Sequence, residues 1–595
     1  MKYLKRFIVL LTLFTATACN KLDIAPVNIL KDEEVFSTDA GVGAYMIPIY
    51  ANLPIEDFRY NFSDGFNAFP AFPALGLFTA ELLQIDYVFR GSIESGSFGY
   101  WPYGDIRKIN YFLEALPKNS SSFSQAQVNA YLGEAHFLRA YFYFDLVKRY
   151  GGVPIAKTPQ DPFNSTPEAL RIPRSNEEDV YKFIEEELNQ AIELMPDIAA
   201  DEAVKGRANR NVALALKSRA MLYAGSIAKY GSIQLNGLLG IPSSQAQNYF
   251  QKSYDAAILL EGKYTLYRAN ADKYQNYVNL FLDRNSSENI FIKDYKYPER
   301  THSWDALNIP KQFVSGYGSF INPTLDYVEL YGTLKVNDDN GNPIRFDQRV
   351  DLFKDVEPRL RATVILPGDT FRGDVIDVQR GIYPTYKNGD ESANNAVLKT
   401  AGSTDVLYNG KRVVGLSGMG IGGSTGTGFY VRKYLNPNLA QADLNLWRSD
   451  QAWIDIRYAE VLLNKAEAGV ELGTSNAAAK ALEAINDIRD RAGAVSLQPA
   501  QLTLNAVRTE RRKELAFENH SWWDNRRWRV ADKEFNNRIY KVLYPYYVFD
   551  ENKYIFKKDD DITKSRFTFQ VKFYYEPIPG NQINKNPLLV QNPLY

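Results

Sequence analysis

The sequence predicts a mainly α-helical protein, a scaffold of degenerate tetratricopeptide-type helix pairs interrupted by a loop-rich subdomain with short strands. Three observations carry this. Apolar residues recur at helical spacing in long segments where Ala and Gly interleave with aromatics, the pattern of helices that bury one another in pairs. Turn chemistry dominates residues 298–448 instead, with Asn-Asp-Asp-Asn-Gly, Pro-Gly-Asp and Gly-rich stretches. One cysteine in 595 residues leaves no disulfide or thiolate cluster, so packing must hold the fold, and the length supports several packed units.

The chain opens with Lys2, Lys5 and Arg6, a short apolar run at 7–14, and Ala16-Thr17-Ala18-Cys19. A basic start, an apolar stretch too short to span a bilayer and small residues before a cleavage point make 1–18 a secretion signal. Cys19 then becomes a lipidated N-terminus, because its thiol can take a diacylglycerol before cleavage and two or three acyl chains anchor a protein stably. Ala16 departs from the bulky aliphatic residue usual there. Residues 19–32 form the lipidated N-terminus and a polar tether.

A helical segment follows at 33–52, anchored by Phe36, Tyr45 and Tyr50. Residues 58–99 hold glycines, prolines and eight phenylalanines with little periodicity, which reads as a long structured loop. Helices are expected at 106–116 and 125–149. In the second, Val128, Leu132, Ala135, Leu138, Tyr141, Phe142 and Leu146 make one apolar face, with Ala130, Gly133 and Ala140 permitting a close crossing. It stops at Tyr150-Gly151-Gly152-Val153-Pro154. Further helices are read at 178–195, 207–230, 248–260, 278–285, 452–470, 476–492 and 504–517. Within 298–448, residues 362–366 and 428–434 are β-prone, and 567–575 alternates like a strand. The organisation is thus 33–297, an N-terminal helical-repeat region with the aromatic loop; 298–448, the variable insertion; and 449–595, a C-terminal helical-repeat region.

Charge excludes one class of partner. Lys and Arg number 69 against 70 for Asp and Glu, and no basic stripe stands out, so nucleic acid is not expected. Enzyme signatures are mostly missing. His136, His302 and His520 lie far apart, no HExxH occurs and no GxSxG elbow between a long strand and a helix supports a Ser-His-Asp arrangement, so no catalytic metal or cofactor is expected. His136 reads as a hydrogen-bonded packing residue and His520 as lying at a helix end. Paired carboxylates remain the enzymatic alternative, because a glycosidase needs only two. Glu460 with Glu467, and Glu510 with Glu514, are the local candidates, and both pairs sit among basic residues that suit structural ion pairs. Trp522, Trp523, Arg526, Arg527 and Trp528 read as an anchor where guanidinium groups stack on indoles. Residues 336–342 superficially resemble a calcium loop but lack its terminal Glu, and the glycines of 418–428 lack the strand and helix of a nucleotide loop.

Several motifs together resemble the SusD/RagB family of surface lipoproteins from the Bacteroidetes. They are Gly133-Glu134-Ala135-His136-Phe137-Leu138-Arg139-Ala140-Tyr141-Phe142-Tyr143-Phe144-Asp145-Leu146 with the Gly-Gly-Val-Pro stop, Asp455-Ile456-Arg457-Tyr458-Ala459-Glu460-Val461-Leu462-Leu463-Asn464-Lys465-Ala466-Glu467-Ala468, Glu510-Arg511-Arg512-Lys513-Glu514-Leu515-Ala516-Phe517-Glu518, and the terminal Gln591-Asn592-Pro593-Leu594-Tyr595. His136, Asn519 and Leu594 depart from the family pattern. The resemblance implies a SusD-like fold with four tetratricopeptide-like helix pairs and a loop-rich side. It also implies a non-catalytic lid on a TonB-dependent outer-membrane barrel (SusC-like), held on the outer membrane by the Cys19 lipid and facing the cell exterior.

Such a protein captures a glycan, or in some members a peptide, and delivers it to the barrel. Fourteen per cent of the residues are aromatic, many in loops, and sugar rings stack their C–H faces on flat aromatics while their hydroxyls need polar partners. The expected ligand residues are Trp304, Tyr297, Tyr295, Phe66, Phe69 and Phe72, with Asn67, Arg300 and Asp305 as polar neighbours. Trp304 leads because its surroundings, Arg300-Thr301-His302-Ser303-Trp304-Asp305, are polar; Trp101 is expected to pack. The competing readings are that loop aromatics merely pin loops to the body, and that the protein is a structural or adhesive surface lipoprotein or a carboxylate-based glycosidase.

Overall fold

The computed structural model describes residues 31–62, 65–68, 75–84, 96–161, 163–399, 406–419, 424–561 and 566–595. The leader at 1–18, Cys19, Phe69 and Phe72 lie outside the described residues. The described chain is mainly helical with short strands.

The expected helix at 33–52 is two helices, α1 (Asp32–Phe36) and α2 (Asp39–Ala51). Thr38 divides them, its side chain accepting from the Gly41 backbone N–H to cap α2. A side chain at Gly41 would start 2.1 Å from the Val35 carbonyl oxygen, so the tight joint requires glycine. Next come α3 (Tyr103–Asn119) and α4 (Gln125–Tyr150). Ser124 and Gln127 close a reciprocal capping box at the start of α4, and Gly151 at φ 71° ends it. Along α4, Gly133 lies 2.5 Å, measured from an added Cβ, from the Met195 side chain. That is the close crossing the small residues predict.

Helices α5 (Glu177–Leu194), α6 (Arg210–Tyr230), α7 (Ala246–Ile258) and α8 (Lys273–Leu280) follow. After a short helix, α9 (Pro358–Thr363), the long helices resume as α10 (Tyr458–Leu472), α11 (Ser475–Ala492), α12 (Leu504–Glu514) and α13 (His520–Arg527). Neighbours pack serially from α3 to α7, α7 then packs on α10, and α10 on α11 and α12. The chain therefore leaves the helical row after α7 and rejoins it at α10. Small residues set the spacing again, Gly225 facing the Phe250 ring and Gly469 facing Ala477 and Ala481.

Strands differ more from expectation. The segment read as helix from 452 starts as a strand, and only at Tyr458 does it become helical. Asn289–Lys293 (β1) pairs antiparallel with Trp453–Arg457 (β3), with Trp453 opposite Lys293 and Ile454 opposite Ile292. Two β-branched residues beside a waiting partner outweigh the continuous apolar run. The largest sheet has no counterpart in the sequence reading. It pairs Lys541–Val548 (β4) antiparallel with Lys553–Asp560 (β5), and Gly381–Tyr383 (β2) runs parallel to β4 on its other side. The β-prone pieces at 362–366 and 428–434 pair with each other, though only through Val364–Ile365 and Tyr430–Val431. The alternation at 567–575 is real in burial, with Phe567 and Phe569 buried, but it forms no ladder. Those rings pack on Trp522, and Val571–Tyr574 is a 3₁₀ turn.

Charged side chains join the row at its centre. Arg457 donates to Glu288 (2.7 Å), Glu514 (2.7 Å) and Glu518 (2.8 Å). Arg359 meets Glu510 (2.6 Å) and Glu514 (2.7 Å), and Arg491 meets Glu288 (2.8 Å) and Glu514. These groups come from β3, α9, α11, α12, the turn after α12 and the residue before β1, and all are buried. Burial works to raise the Glu514 carboxyl, but Arg491, Arg457 and Arg359 hold it well below the usual carboxylate range.

Candidate ligand-binding face

Beyond β1 the chain makes a narrow turn in which Lys296 and Arg300 exchange backbone hydrogen bonds, both 2.8 Å. Tyr297 stands at its tip and is 44% exposed. His302 then pairs with Ser449 across an isolated bridge, N–H to carbonyl in both directions (2.9 and 3.1 Å), which lays 447–450 beside the turn. A third segment arrives from the aromatic loop: Asn61 bridges Gly65, and the Ala68 N–H donates to the Arg59 carbonyl at 2.8 Å. Backbone bonds thus join the turn to 447–450 and shape the aromatic loop, and side chains bring that loop to the other two.

Their side chains interlock. The Arg59 guanidinium donates to the Asn67 carbonyl (3.1 Å) and Arg300 donates to the Asn67 side-chain oxygen (2.9 Å). Arg59 also lies over the Trp447 ring, 5.3 Å from its centroid, and Arg448 lies 5.0 Å from the centroid of Tyr297. Trp447 is half-buried, with φ at 60°. The outcome is two aromatic rings and one amide held in a frame of three guanidinium groups.

Of the expected ligand residues, the structure brings Tyr297, Arg300 and Asn67 to this face. Phe66 is beside it but turned inward, packing on Tyr60 (5.0 Å) and edge-on to Tyr100 (4.8 Å). Trp304, Tyr295 and Asp305 are corrected. Trp304 is 1% exposed, its rings sit against Phe58 (5.3 Å) and Tyr434 (6.3 Å), and its indole N–H donates to the Lys433 carbonyl (3.2 Å). No stacking face is left for a sugar. Tyr295 is buried and donates to Asp57, and buried Asp305 accepts from the Asn436 N–H (2.7 Å) and the Gln451 amide (2.6 Å). Of the polar neighbours that recommended Trp304, His302 and Asp305 are buried with it, and Arg300 turns away to Asn67. Trp101 packs on Tyr103 and Tyr150, as expected.

Trp447, Arg448 and Arg59 were missed. Trp447 carries the signal used for Trp304, a tryptophan among polar residues, in Asn445-Leu446-Trp447-Arg448-Ser449-Asp450. Sequence offered no way to rank the two.

Beneath the face lies a compensated layer. Lys293 and Asp57 pair at 2.7 Å, and burial pulls the Lys293 ammonium below its usual range. Burial works to raise Asp57, yet Lys293, Tyr295 and the Arg59 N–H keep it low. His302 stacks on Phe58 at 4.1 Å, and burial pulls its pKa down to about 3, so it is neutral. From Arg300 and Lys293 an apolar cleft of about 410 Å³ runs past Ile47, Met46 and Phe291. It shares Gly206 and Ile292 with a further depression of about 780 Å³ beside Tyr264 and Val204. Cleft and depression together give the face an extended trough.

The carboxylates considered for catalysis are engaged. Glu460 pairs with Arg219 (2.6 Å), Glu467 with Arg527 (2.6 Å) and the Trp528 indole (2.7 Å), and Glu510 with Arg359 and Arg489, each at 2.6 Å. Burial works to raise Glu467, but Arg527 pulls it down to about 2. Arg359 and Arg489 likewise hold Glu510 below the usual carboxylate range against its burial, so Glu467 and Glu510 are kept ionised rather than poised to donate protons. Burial pushes the Glu81 carboxyl up to about 7, but that group is 2% exposed and sealed in the core. His136 bonds Glu187 at 2.9 Å, and His520 begins α13. The anchor reading holds, with Arg526 over Trp522 and Trp523 and Arg527 over Trp528. At 336–342, Asp338 accepts from the Asn340 and Asn342 N–H groups, which is ordinary turn chemistry. Among the described residues no group of three His, Cys, Asp or Glu side chains is placed to hold a metal ion, and no helix is long and apolar enough to cross a membrane.

Residues 283–595 match the family model described as the SusD family, and residues 97–222 match one described as starch-binding associating with outer membrane. A SusD-like protein P2 from Formosa agariphila is 23% identical over 634 aligned positions, covering 99% of both chains. Among solved structures, a SusD-like protein from Bacteroides fragilis superposes with a TM-score of 0.67 at 23% identity, over 95% of this chain and 99% of its own. A SusD-like carbohydrate-binding protein from the same species gives 0.63 at 23% identity, over 93% and 100%. At these identities the structural likeness speaks for the fold.

Proposed function

The chain belongs to the SusD family, and from that premise we propose that it is a non-catalytic glycan-capturing lipoprotein of the outer membrane, working with a TonB-dependent barrel. The observation that carries the proposal is the face around Tyr297 and Trp447. An exposed phenol and a half-buried indole offer apolar ring surface, and Asn67 with the surrounding guanidinium groups offers hydrogen bonds, at the mouth of an open trough. That combination suits a sugar chain, whose C–H faces stack while its hydroxyls are met at the edges. Nothing in it requires a tuned acid or base.

The rest of the reading follows from the family. The helical row corresponds to four tetratricopeptide-like pairs that support the face and dock on the barrel. The face forms where the variable region, 298–448, meets 33–297, which allows ligand preference to change without disturbing the row. Lipid on Cys19 holds the protein at the outer membrane facing outward, and 19–32 gives it reach. The captured glycan passes to the barrel as the two close.

Calorimetric titration of the protein beginning after Cys19, against a panel of neutral and acidic oligosaccharides and peptides, tests the proposal. Saturable glycan binding weakened about tenfold in Tyr297→Ala and Trp447→Ala, with thermal midpoints unchanged, is the expected result; tenfold corresponds to about 1.4 kcal/mol. Binding of peptides alone, or of nothing, overturns it.

A further inference from the structure

Among the described residues the charges of the face do not balance. Lys293 is neutralised by Asp57 (2.7 Å), Lys296 by Glu299 (3.3 Å), and Arg284 by Asp294 and Asp450 (both 3.4 Å). Arg59, Arg300 and Arg448 meet no carboxylate among the described residues. Their contacts are neutral: the Asn67 carbonyl and side-chain amide, and the rings of Trp447, Tyr295 and Tyr297. Arg59 and Arg300 in fact share Asn67, so two like charges are bridged by an uncharged group. The Arg59 Nε–H is buried and has no hydrogen-bond partner.

Arginines left this way are costly unless something completes them. Each guanidinium carries five donors in a planar fork that matches carboxylate and sulfate oxygens two at a time, and each stays charged at any physiological pH. A neutral sugar satisfies some donors but none of the charge. Longer-range fields agree with the geometry, since Arg59 and Arg300 both act to lower the buried Lys293 ammonium.

We propose that the glycan captured here is anionic, carrying carboxylate or sulfate groups that Arg59, Arg300 and Arg448 engage while Tyr297 and Trp447 stack on its rings. The inference rests on the glycan-binding reading above and narrows it to a substrate class. Stacking sets where a ring lies, and the guanidinium frame selects chains with negative charge at the ring edge. Charge-assisted bonds are roughly twice as strong as neutral ones and weaken with salt where the site is open to solvent.

The test is calorimetry with oligogalacturonate, a sulfated galactan oligosaccharide and its desulfated form, and a neutral β-glucan oligosaccharide. Each is titrated at about 50 and 300 mM salt, near Debye lengths of roughly 14 and 6 Å. Wild type is compared with Arg59→Ala, Arg300→Ala, Arg448→Ala and the triple variant, with thermal scans of each. At least one anionic ligand is expected to bind tenfold or more tightly than both neutral ones, to lose affinity at high salt, and to lose at least tenfold in the triple variant without a shift in thermal midpoint. Oligogalacturonate against the sulfated galactan separates carboxylate from sulfate recognition. If a neutral oligosaccharide binds as well, or anionic binding survives in the triple variant, the charge inference falls while glycan capture stands. Should no oligosaccharide bind, both fall together.

Discussion

Arg359, Arg457 and Arg491 are buried at the centre of the helical row and each meets at least two carboxylates, whereas Arg59, Arg300 and Arg448 frame an open face and meet none among the described residues. The two groups hold the same chemistry in opposite states. In that core network each arginine is answered within the chain, so the network joins β3, α9, α11 and α12 and has nothing left to offer a ligand. At the face the chain supplies aromatic rings and one amide instead of counter-charges. Between these two sets of three, saturation goes with building the fold and lack of it with a position open to a ligand.

The largest expected effect is in the core. Glu514→Gln removes a charge shared by three arginines and leaves buried positive charge unanswered, which costs about 3–5 kcal/mol. Chemical denaturation should show that loss, and glycan affinity of the folded fraction should stay unchanged. Unfolding without a measurable loss would mean the network is not a structural joint.

Next come two tryptophans that share a sequence signal and differ in burial. Trp304→Ala empties a buried site and should cost about 3–5 kcal/mol of stability. Trp447→Ala, at the half-buried rim, should cost under about 1 kcal/mol while weakening glycan binding. Equal behaviour of the pair would erase the distinction between core and face.

Acid should act on two buried histidines at once, His302 beneath the face and His520 at the start of α13, both held below the ordinary imidazole range by burial. His302 has a pKa of about 3 in the fold against an ordinary 6.5, so between those values the unfolded chain takes a proton that the folded one refuses. Stability therefore falls as pH drops through that window, at up to about 1.4 kcal/mol per pH unit. Glu467, held at about 2, adds its loss only below its unfolded value near 4.5. Between pH 6.5 and 4.5 a His302→Gln variant should lose less stability on acidification than the wild type, the remaining slope belonging to groups such as His520 and Glu81. An unchanged slope there would remove His302 from the account. The smallest stability effect belongs to Arg448→Ala, within about 0.5 kcal/mol by thermal scan.

How much of this was legible depended on whether the signal was local. Helices α4, α5 and α11 follow from periodicity, caps and small residues, which neighbours in sequence determine. Strand β3 was not legible because its apolar run continues into α10, and only pairing with β1 separates them. The β4–β5 hairpin was hidden by Pro545, which argues against a central strand yet sits in one, opposite Phe556. At the face, Tyr297, Arg300 and Asn67 were found because polar-flanked aromatics mark loops. Burial of Trp304 and exposure of Trp447 were not, since both depend on the bridge between His302 and Ser449, which spans nearly the whole insertion.

The central claim is that the unanswered arginines of the face bind and the answered ones of the buried network build. It is tested most directly by measuring stability and anionic-oligosaccharide affinity together on Arg300→Ala and Glu514→Gln. The account predicts a crossed result: Arg300→Ala keeps its unfolding midpoint and loses about tenfold in affinity, while Glu514→Gln loses several kcal/mol of stability and binds as wild type below its midpoint. Loss of both properties in both variants, or unchanged affinity in Arg300→Ala, would contradict it.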